Sequence, residues 1–321
     1  MSKLICFGEV LVDFIESDSK ESTNTYAGGA PANVAVGFAK LGGKSLLLGG
    51  VGGDQYADFL MEQLKKHKVD IRSLTSFPNA KTAKAIISLD QNNERFFQIY
   101  RDDTADTLIT ADDLNQSVFS KNNMFHFCSN TLTSSSLLLT TSSALKLALA
   151  DNLLVSFDVN IRLGLWEDEA LIEPRISQLF EYCDIVKMSR DELDFLAIQC
   201  DKNTKDYIAF CFKKGVNLIL ITDGEKPIIA YSKEFQVSVI SPTVSVEDTT
   251  AAGDSFISGF LWKISQLLDN KNNFTSISVE DLKTCIQFAA VCGAITCSEK
   301  GAFDSMPTQG KIKNFNRDLT F

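Results

Sequence analysis

Histidine is almost missing from this chain: His67 and His126 are the only two among 321 residues. That leaves too little imidazole for a zinc centre built on histidines or for a Ser/His/Asp relay. His126, inside 124-MFHFCS-129, reads as a strand residue. Proline is also scarce, with six in all. No Pro/Gly-rich linker, low-complexity tract or internal repeat divides the sequence, so one main domain over residues 1–321 is expected. No apolar run approaches the roughly 18 residues that a membrane span needs. The opening stretch, 1-MSKLICFGEVLVDF-14, lacks the apolar core and small-residue cleavage site of a secretion signal and reads as a first strand. Eight cysteines are present, but none forms a CxxC pair, and all stand in apolar segments of a chain far longer than a disulfide scaffold. They are expected to be reduced packing residues of a cytoplasmic protein. Positive charge is the last shortage: 31 Lys and Arg against 41 Asp and Glu give a net charge of −10. Such a field repels nucleic acid and anionic membranes, so neither is expected as a partner.

What is present is rhythm. Continuous apolar runs such as LICFG, SLLLGG, MFHFCS, LLVSFD, DIVKMS and NLILIT alternate with helix-period segments. Those segments include Pro31 to Leu41, Tyr56 to Lys66, Leu137 to Ala150, Glu192 to Gln199 and Tyr207 to Lys214. Repeated β-α-β units with non-alternating strands predict an α/β fold, a doubly wound and mostly parallel sheet flanked by helices, with ligands at the carboxyl ends of its strands. One region breaks the rhythm. Residues 82–101 alternate around a turn at Gln91 to Asn93, which predicts a hairpin. Combined with 11–28 it makes either a small separate sheet, a lid, or an edge extension of the main sheet. The polar run 269–276 reads as a surface loop.

The stretch 247-EDTTAAGDSFISGFLWKIS-265 carries the densest chemistry. Ile257, Phe260, Leu261, Ile264 and Leu268 follow helical spacing, which puts Gly253 and Asp254 at a helix N-terminus. Free amides and the positive end of the helix dipole make an anion site there, and small residues let a phosphate approach. Asp254 can serve beside it as a general base. Capping explains one Thr or Asp of this run but not the whole of it.

The run DTTAAGDSFISGF resembles the second signature of the ribokinase-like, or pfkB, sugar kinases, and 28-GGAPANVA-35 resembles the first. The likeness continues in order through 158-DVNIR-162 and 300-KGAFDSMP-307. It implies a large α/β domain with a β-sheet lid, and transfer of the γ-phosphoryl of ATP to a sugar hydroxyl with Mg²⁺. It places Asp254 on the family's base and Ala251, Ala252 and Gly253 on its anion hole, with Ala251 where Gly is most common.

On the sugar side, Asp13, Gly28, Gly29 and Asn33 are the types a polyol needs: an acceptor for two hydroxyls, a donor-acceptor amide, and glycines that let a ring lie on the backbone. Taken alone, Gly-Gly-Ala-Pro is an equally good helix start and Asp13 an ordinary surface carboxylate; the resemblance selects sugar contacts. Arg101, Asn160 and Arg162 stand at predicted strand ends beside aromatics. Stretches similar to IYR, DVNIRLGLW and VKMSRDE occur in fructokinases of the family, which implies D-fructose phosphorylated at its 6-hydroxyl. A 2-keto-3-deoxygluconate kinase and a silent sugar sensor are the alternatives.

On the nucleotide side, the resemblance points to Lys187, Ser189, Thr222, Gly224 and Ala290. Ser189 with Glu192 also makes a capping box, and Glu192 matches an acidic residue that organises Mg²⁺ through water. Asp248, Thr250, Gly301 and Ser305 match a monovalent-cation site, implying potassium. The resemblance further implies a homodimer formed through the lid.

Overall fold

The computed structural model describes residues 2–16, 23–89, 95–120, 123–268, 274 and 277–318. The first elements are β1 (Lys3–Phe7), β2 (Leu11–Glu16), β3 (Thr23–Gly28), α1 (Ala30–Lys40), β4 (Lys44–Gly52), α2 (Gln55–Lys66), β5 (Leu74–Phe77), β6 (Lys84–Leu89) and β7 (Arg95–Tyr100). Next come β8 (Met124–Cys128), α3 (Ser135–Ala150), β9 (Leu154–Asp158), α4 (Ile172–Ser177), β10 (Ile185–Ser189), α5 (Arg190–Gln199) and α6 (Thr204–Lys214). The chain closes with β11 (Leu218–Thr222), β12 (Ile228–Tyr231), β13 (Gln236–Val239), α7 (Ala252–Leu268), α8 (Val279–Cys297) and α9 (Gln309–Asp318).

Nine strands form the main sheet in the order β13-β12-β11-β10-β9-β8-β1-β4-β5. Seven of them run parallel, and β12 and β13 add an antiparallel edge. Alternate residues of each parallel strand enter opposite cores. Leu4 and Cys6 of β1 pack with α1, α2, α7 and α8 on one face, and Ile5 and Phe7 with α3 to α6 on the other. Two covered faces explain why the strand sequences are mostly apolar and do not alternate. Rings cross-link the second face, with Phe127 stacked on Phe157 at 4.5 Å. Each such fully buried side chain contributes about 1.5–3 kcal/mol of transfer free energy.

From β1 the chain winds outward through β4 and β5, then returns to β8 on the other flank and winds away through β9 to β11. The winding direction therefore reverses between β1 and β8. A crevice opens outside the carboxyl ends of strands at such a point.

Strands β2, β3, β6 and β7 form their own four-stranded sheet, in the order β3-β2-β6-β7, and do not extend the main one. Strands β2 and β6 are parallel, while β2–β3 and β6–β7 are antiparallel. The turn at Gln91 to Asn93 lies outside the described residues, as does most of 269–276. Strands β5, β12 and β13, of four residues each and partly exposed, are too short to stand out from sequence. His126 lies buried in β8 with Nδ1 3.1 Å from Ser156 Oγ, and burial, reinforced by the Lys187 charge, pushes its pKa down to about 3. All eight thiols are free. Among the described residues, no helix is long and apolar enough to cross a membrane.

Candidate active site

The centre of the crevice is the start of α7. Asp254 stands in its first turn, only 8% exposed, and its Oδ2 accepts a 2.8 Å hydrogen bond from Asn33 Nδ2 in the first turn of α1. Burial raises the Asp254 pKa, while the Asn33 bond and the Lys187 and Arg162 charges pull it back. A helix start gathers amides without intrahelical partners. Just ahead of it, Ala251 takes a φ of +60°, a left-handed conformation that costs an L-residue roughly 1–2 kcal/mol. The turn is nevertheless closed as a helix entry, with Ser255 N donating to Ala251 O at 2.8 Å. Ala251 therefore keeps the geometry that glycine would adopt freely.

Lys187 comes from β10 and is buried; its Nζ lies 2.9 Å from both Asp158 carboxylate oxygens. Burial works against its charge, but Asp158, with Glu192 and Asp254, outweighs that and lifts its pKa. A methyl added at Gly253 would come within 3.1 Å of Lys187 Nζ. The missing side chain at 253 is thus what lets a fixed ammonium stand against the amide turn.

On the acceptor side, β2 of the small sheet carries Asp13 toward this centre. Burial, with the nearby Asp248 and Asp254 charges, pushes its pKa up to about 7. Gly28 lies so close that a Cβ there would sit 2.1 Å from Asp13 Oδ2. Gly29 is the N-cap of α1 with a φ of +106°, and its Cβ would strike Glu9 O at 2.6 Å. Glu9, 1% exposed, caps the same helix start by accepting from Ala30 N at 3.2 Å. Asn160 is buried in a left-handed conformation with φ +38°. The neighbouring Ile161 N donates to Glu192 Oε1 at 2.8 Å. Glu192 Oε2 accepts from Ser189 N at 2.7 Å, and Glu192 N donates to Ser189 Oγ at 3.1 Å. The capping box is therefore formed, and the same carboxylate also pins the 160–162 loop.

Two arginines fall differently than their strand-end positions suggest. Arg162 is exposed, with Nη1 on the carbonyl of Ile161 at 3.1 Å, and reaches Asp254 only through its charge. Arg101 is 7% exposed and turned inward; its Nε donates to Asp106 Oδ2 and its Nη1 to Asn130 O at 2.7 Å.

On the donor side, a cavity of about 300 Å³ runs from Ala252 and Gly253 past Thr222 and Gly224 to Ala290 on α8. Much of its wall is apolar, including Ile228, Val244 and Phe256. Behind the anion turn, Asp248 binds Thr250 N at 2.8 Å and Gly301 N at 3.3 Å. Ser305, fully buried, donates from Oγ to Ala302 O at 2.9 Å. Asp248 thus joins Thr250 and Gly301, while Ser305 is tied to Ala302, the residue after Gly301. Sequence reasoning left Glu9, Asp106, Asn130 and Asp158 without a role. Only Glu9 and Asp158 carried a signal, each a carboxylate at or just past the end of an apolar strand.

A proton acceptor between a sugar-compatible acceptor side and an amide turn that opens on a separate cavity is the layout of phosphoryl transfer. The family model for pfkB family carbohydrate kinases matches residues 1–309. The chain belongs to the pfkB carbohydrate kinases. Among pfkB relatives, fructokinase-2 of Oryza sativa subsp. japonica is 33% identical over 311 residues, covering 95% of this chain and 91% of that protein. The structure of fructokinase with bound ATP from Xylella fastidiosa superposes with a TM-score of 0.92 at 32% identity and covers 99% of each chain. Fructokinase from Vibrio cholerae O395, in a form with fructose, ADP and calcium ion bound, gives a TM-score of 0.88 at 28% identity, covering 98% of this chain and 99% of that one. The ribokinase-like architecture expected from the two signatures is the one observed.

Proposed function

We propose that this pfkB kinase is a fructokinase, transferring the γ-phosphoryl of ATP to the 6-hydroxyl of D-fructose. The observation that carries the reading is Asp254: a buried carboxylate in the first turn of α7, held by Asn33, between the Asp13 side and the nucleotide-sized cavity. In this reading Asp254 takes the proton of the primary hydroxyl as it attacks. The amides at 251 to 254 and the Lys187 ammonium hold the charge of the group in flight. Asp13, Gly28, Gly29, Asn33 and Asn160 position the sugar, and Arg162 closes on it from the exposed loop. Thr222, Gly224 and Ala290 accommodate the nucleotide, while Ser189 shapes the strand end beneath it. Mg²⁺ comes with the triphosphate and neutralises its oxygens, and Glu192, whose two oxygens each retain accepting capacity, meets the ion's water shell. Potassium belongs with Asp248, Thr250, Gly301 and Ser305.

The reading includes one kinase domain over 1–321 with the lid inserted at about 11–28 and 82–101. It also includes a homodimer through that lid, supported by the alternating sequence from Ile86 to Ile99, and a cytoplasmic location, supported by eight free thiols. The keto-acid alternative loses one of its two carboxylate readers, because the Arg101 guanidinium is already paired with Asp106. A silent sensor has no need of a buried carboxylate poised on an amide turn.

ADP release from Mg-ATP with potassium present, across fructose, 2-keto-3-deoxygluconate, ribose, glucose and adenosine, tests the assignment. Fructose should lead in kcat/KM by about a hundredfold, roughly 2.7 kcal/mol of discrimination. Asp254→Asn should lower kcat about a thousandfold with the fold intact. A different preferred acceptor, or near-normal turnover in that variant, overturns it.

A further inference from the structure

Asp158 closes β9 and is the register partner of Lys187 in β10, so the two side chains leave adjacent strands at the same level. They are 2% and 5% exposed, and both Asp158 oxygens lie 2.9 Å from Lys187 Nζ. A buried ammonium is tolerated only with a counter-charge. This one also stands against the anion turn: a Cβ at Gly253 would come within 3.1 Å of Nζ, and Gly253 lines the donor cavity. Two further carboxylates, Glu192 and Asp254, act on the same ammonium by charge. The protein's own groups at the turn therefore sum to an excess of negative charge. Glu192 and Asp254 have other anchors, the first on Ser189 N and Ile161 N, the second on Asn33. Among the described residues, the Asp158 carboxylate bonds to Lys187 alone.

We infer that Asp158 is a positioning residue that keeps Lys187 in reserve: before the nucleotide binds it holds the ammonium beside Gly253 and off Asp254, and it yields it to the γ-phosphoryl oxygens once they arrive. The inference rests on the reading of the α7 start as the phosphoryl site. The physical case is one of competition. Lysine is a point charge on a flexible stem, and without Asp158 the ammonium would turn to the other carboxylates that act on it. At Asp254 it would engage the lone pairs that have to take the sugar's proton. A two-oxygen anchor fixed by strand register prevents this. The γ-phosphoryl displaces that anchor because the rest of the nucleotide, seated in the donor cavity, holds it there at high effective concentration. Free inorganic phosphate has no such tether, and the three carboxylates repel it.

The test is titration calorimetry with inorganic phosphate alone on the wild type, Asp158→Asn, Lys187→Met and the double variant, with steady-state kinetics on the same proteins. Phosphate should bind the wild type more weakly than about 1 mM. Asp158→Asn should tighten that binding by about tenfold or more, whereas the same change made in the Lys187→Met background should leave it unmoved. In Asp158→Asn, kcat should fall by about tenfold or more with KM for fructose unchanged, and the double variant should be no slower than Lys187→Met. Equal tightening in both backgrounds would make Asp158 a general charge, and losses in kcat that add would make it a brace between strands. Either result overturns the inference. If Asp158→Asn alone does not fold, the other three proteins decide: phosphate bound by the wild type more tightly than about 1 mM, or a double variant slower than Lys187→Met, overturns it. Because the titration needs no sugar, fructose left unphosphorylated by the wild type would remove the fructokinase reading and still leave this result readable.

Discussion

The acceptor side and the donor cavity meet at Gly253 and Asp254 but are built by opposite means. The acceptor side is a lattice of buried charges and short hydrogen bonds: Asp13 against Gly28, Glu9 on Ala30 N and Asn130, Arg101 on Asp106, Asn33 on Asp254. The donor cavity is an open volume between apolar walls and small helix residues. A buried polar lattice discriminates strongly, because a ligand that misses one partner leaves it desolvated and unpaired. An apolar wall discriminates by volume. In the fructokinase reading, the most exacting chemistry thus falls to the sugar and the simplest to the nucleotide.

The largest break in this contrast should come from Gly28→Ala. A Cβ placed 2.1 Å from Asp13 Oδ2 must displace the carboxylate. KM for fructose should rise about a hundredfold with KM for ATP unmoved, a split read directly from steady-state kinetics. Ala290→Leu tests the other side: overfilling the cavity wall costs about 1–3 kcal/mol. It should raise KM for ATP about tenfold or more and leave the sugar untouched. Equal effects on both substrates in either variant would erase the distinction.

A pH series sharpens it. In the proposed reading Asp13 needs its charge to accept sugar hydroxyls, and its pKa is raised to about 7 by burial and by the Asp248 and Asp254 charges. kcat/KM for fructose should therefore climb as pH rises through about 7, and Asp13→Asn should abolish that limb along with most of the activity. Stability runs the other way. A carboxyl whose pKa is raised by folding stabilises the native state at low pH, and that contribution is lost as pH rises through the folded-state value. The Tm difference between wild type and Asp13→Asn, followed from pH 5 to 8, should shift against the wild type. The smallest effect belongs to the shared turn. Ala251→Gly relieves the left-handed φ of +60° at the expense of backbone entropy. The net gain should be under about 1 kcal/mol, a Tm rise of about 2 °C, with kinetics unchanged.

The two signature stretches stand at the starts of α7 and α1, where the sequence put helix N-termini, since each is a local motif whose backbone demands are written in consecutive residues. The Ser189–Glu192 box was legible for the same reason. Arg101 and Arg162 were legible as arginines but not as to where they point. Arg101 is drawn inward by Asp106, five residues on in a short helical turn, and a residue count cannot announce that pairing. Asn130 and Glu9 were invisible: they lie 121 positions apart, and nothing in CSNTL or FGEV signals that they touch.

What the sequence determined by itself is the periodic order of strands and helices, the apolar runs that require a sheet covered on both faces, and the motif chemistry at the start of α7. These follow from propensity, patterning and backbone sterics, which act over a few residues. Only the tertiary structure decided that β2, β3, β6 and β7 make a separate sheet, that Lys187 stands against Gly253, and that Glu9 after β1 meets Asn130 after β8. The reason is physical: desolvation and hydrogen-bond satisfaction depend on which distant groups share a buried volume, and the winding of the parallel sheet alone brings them together.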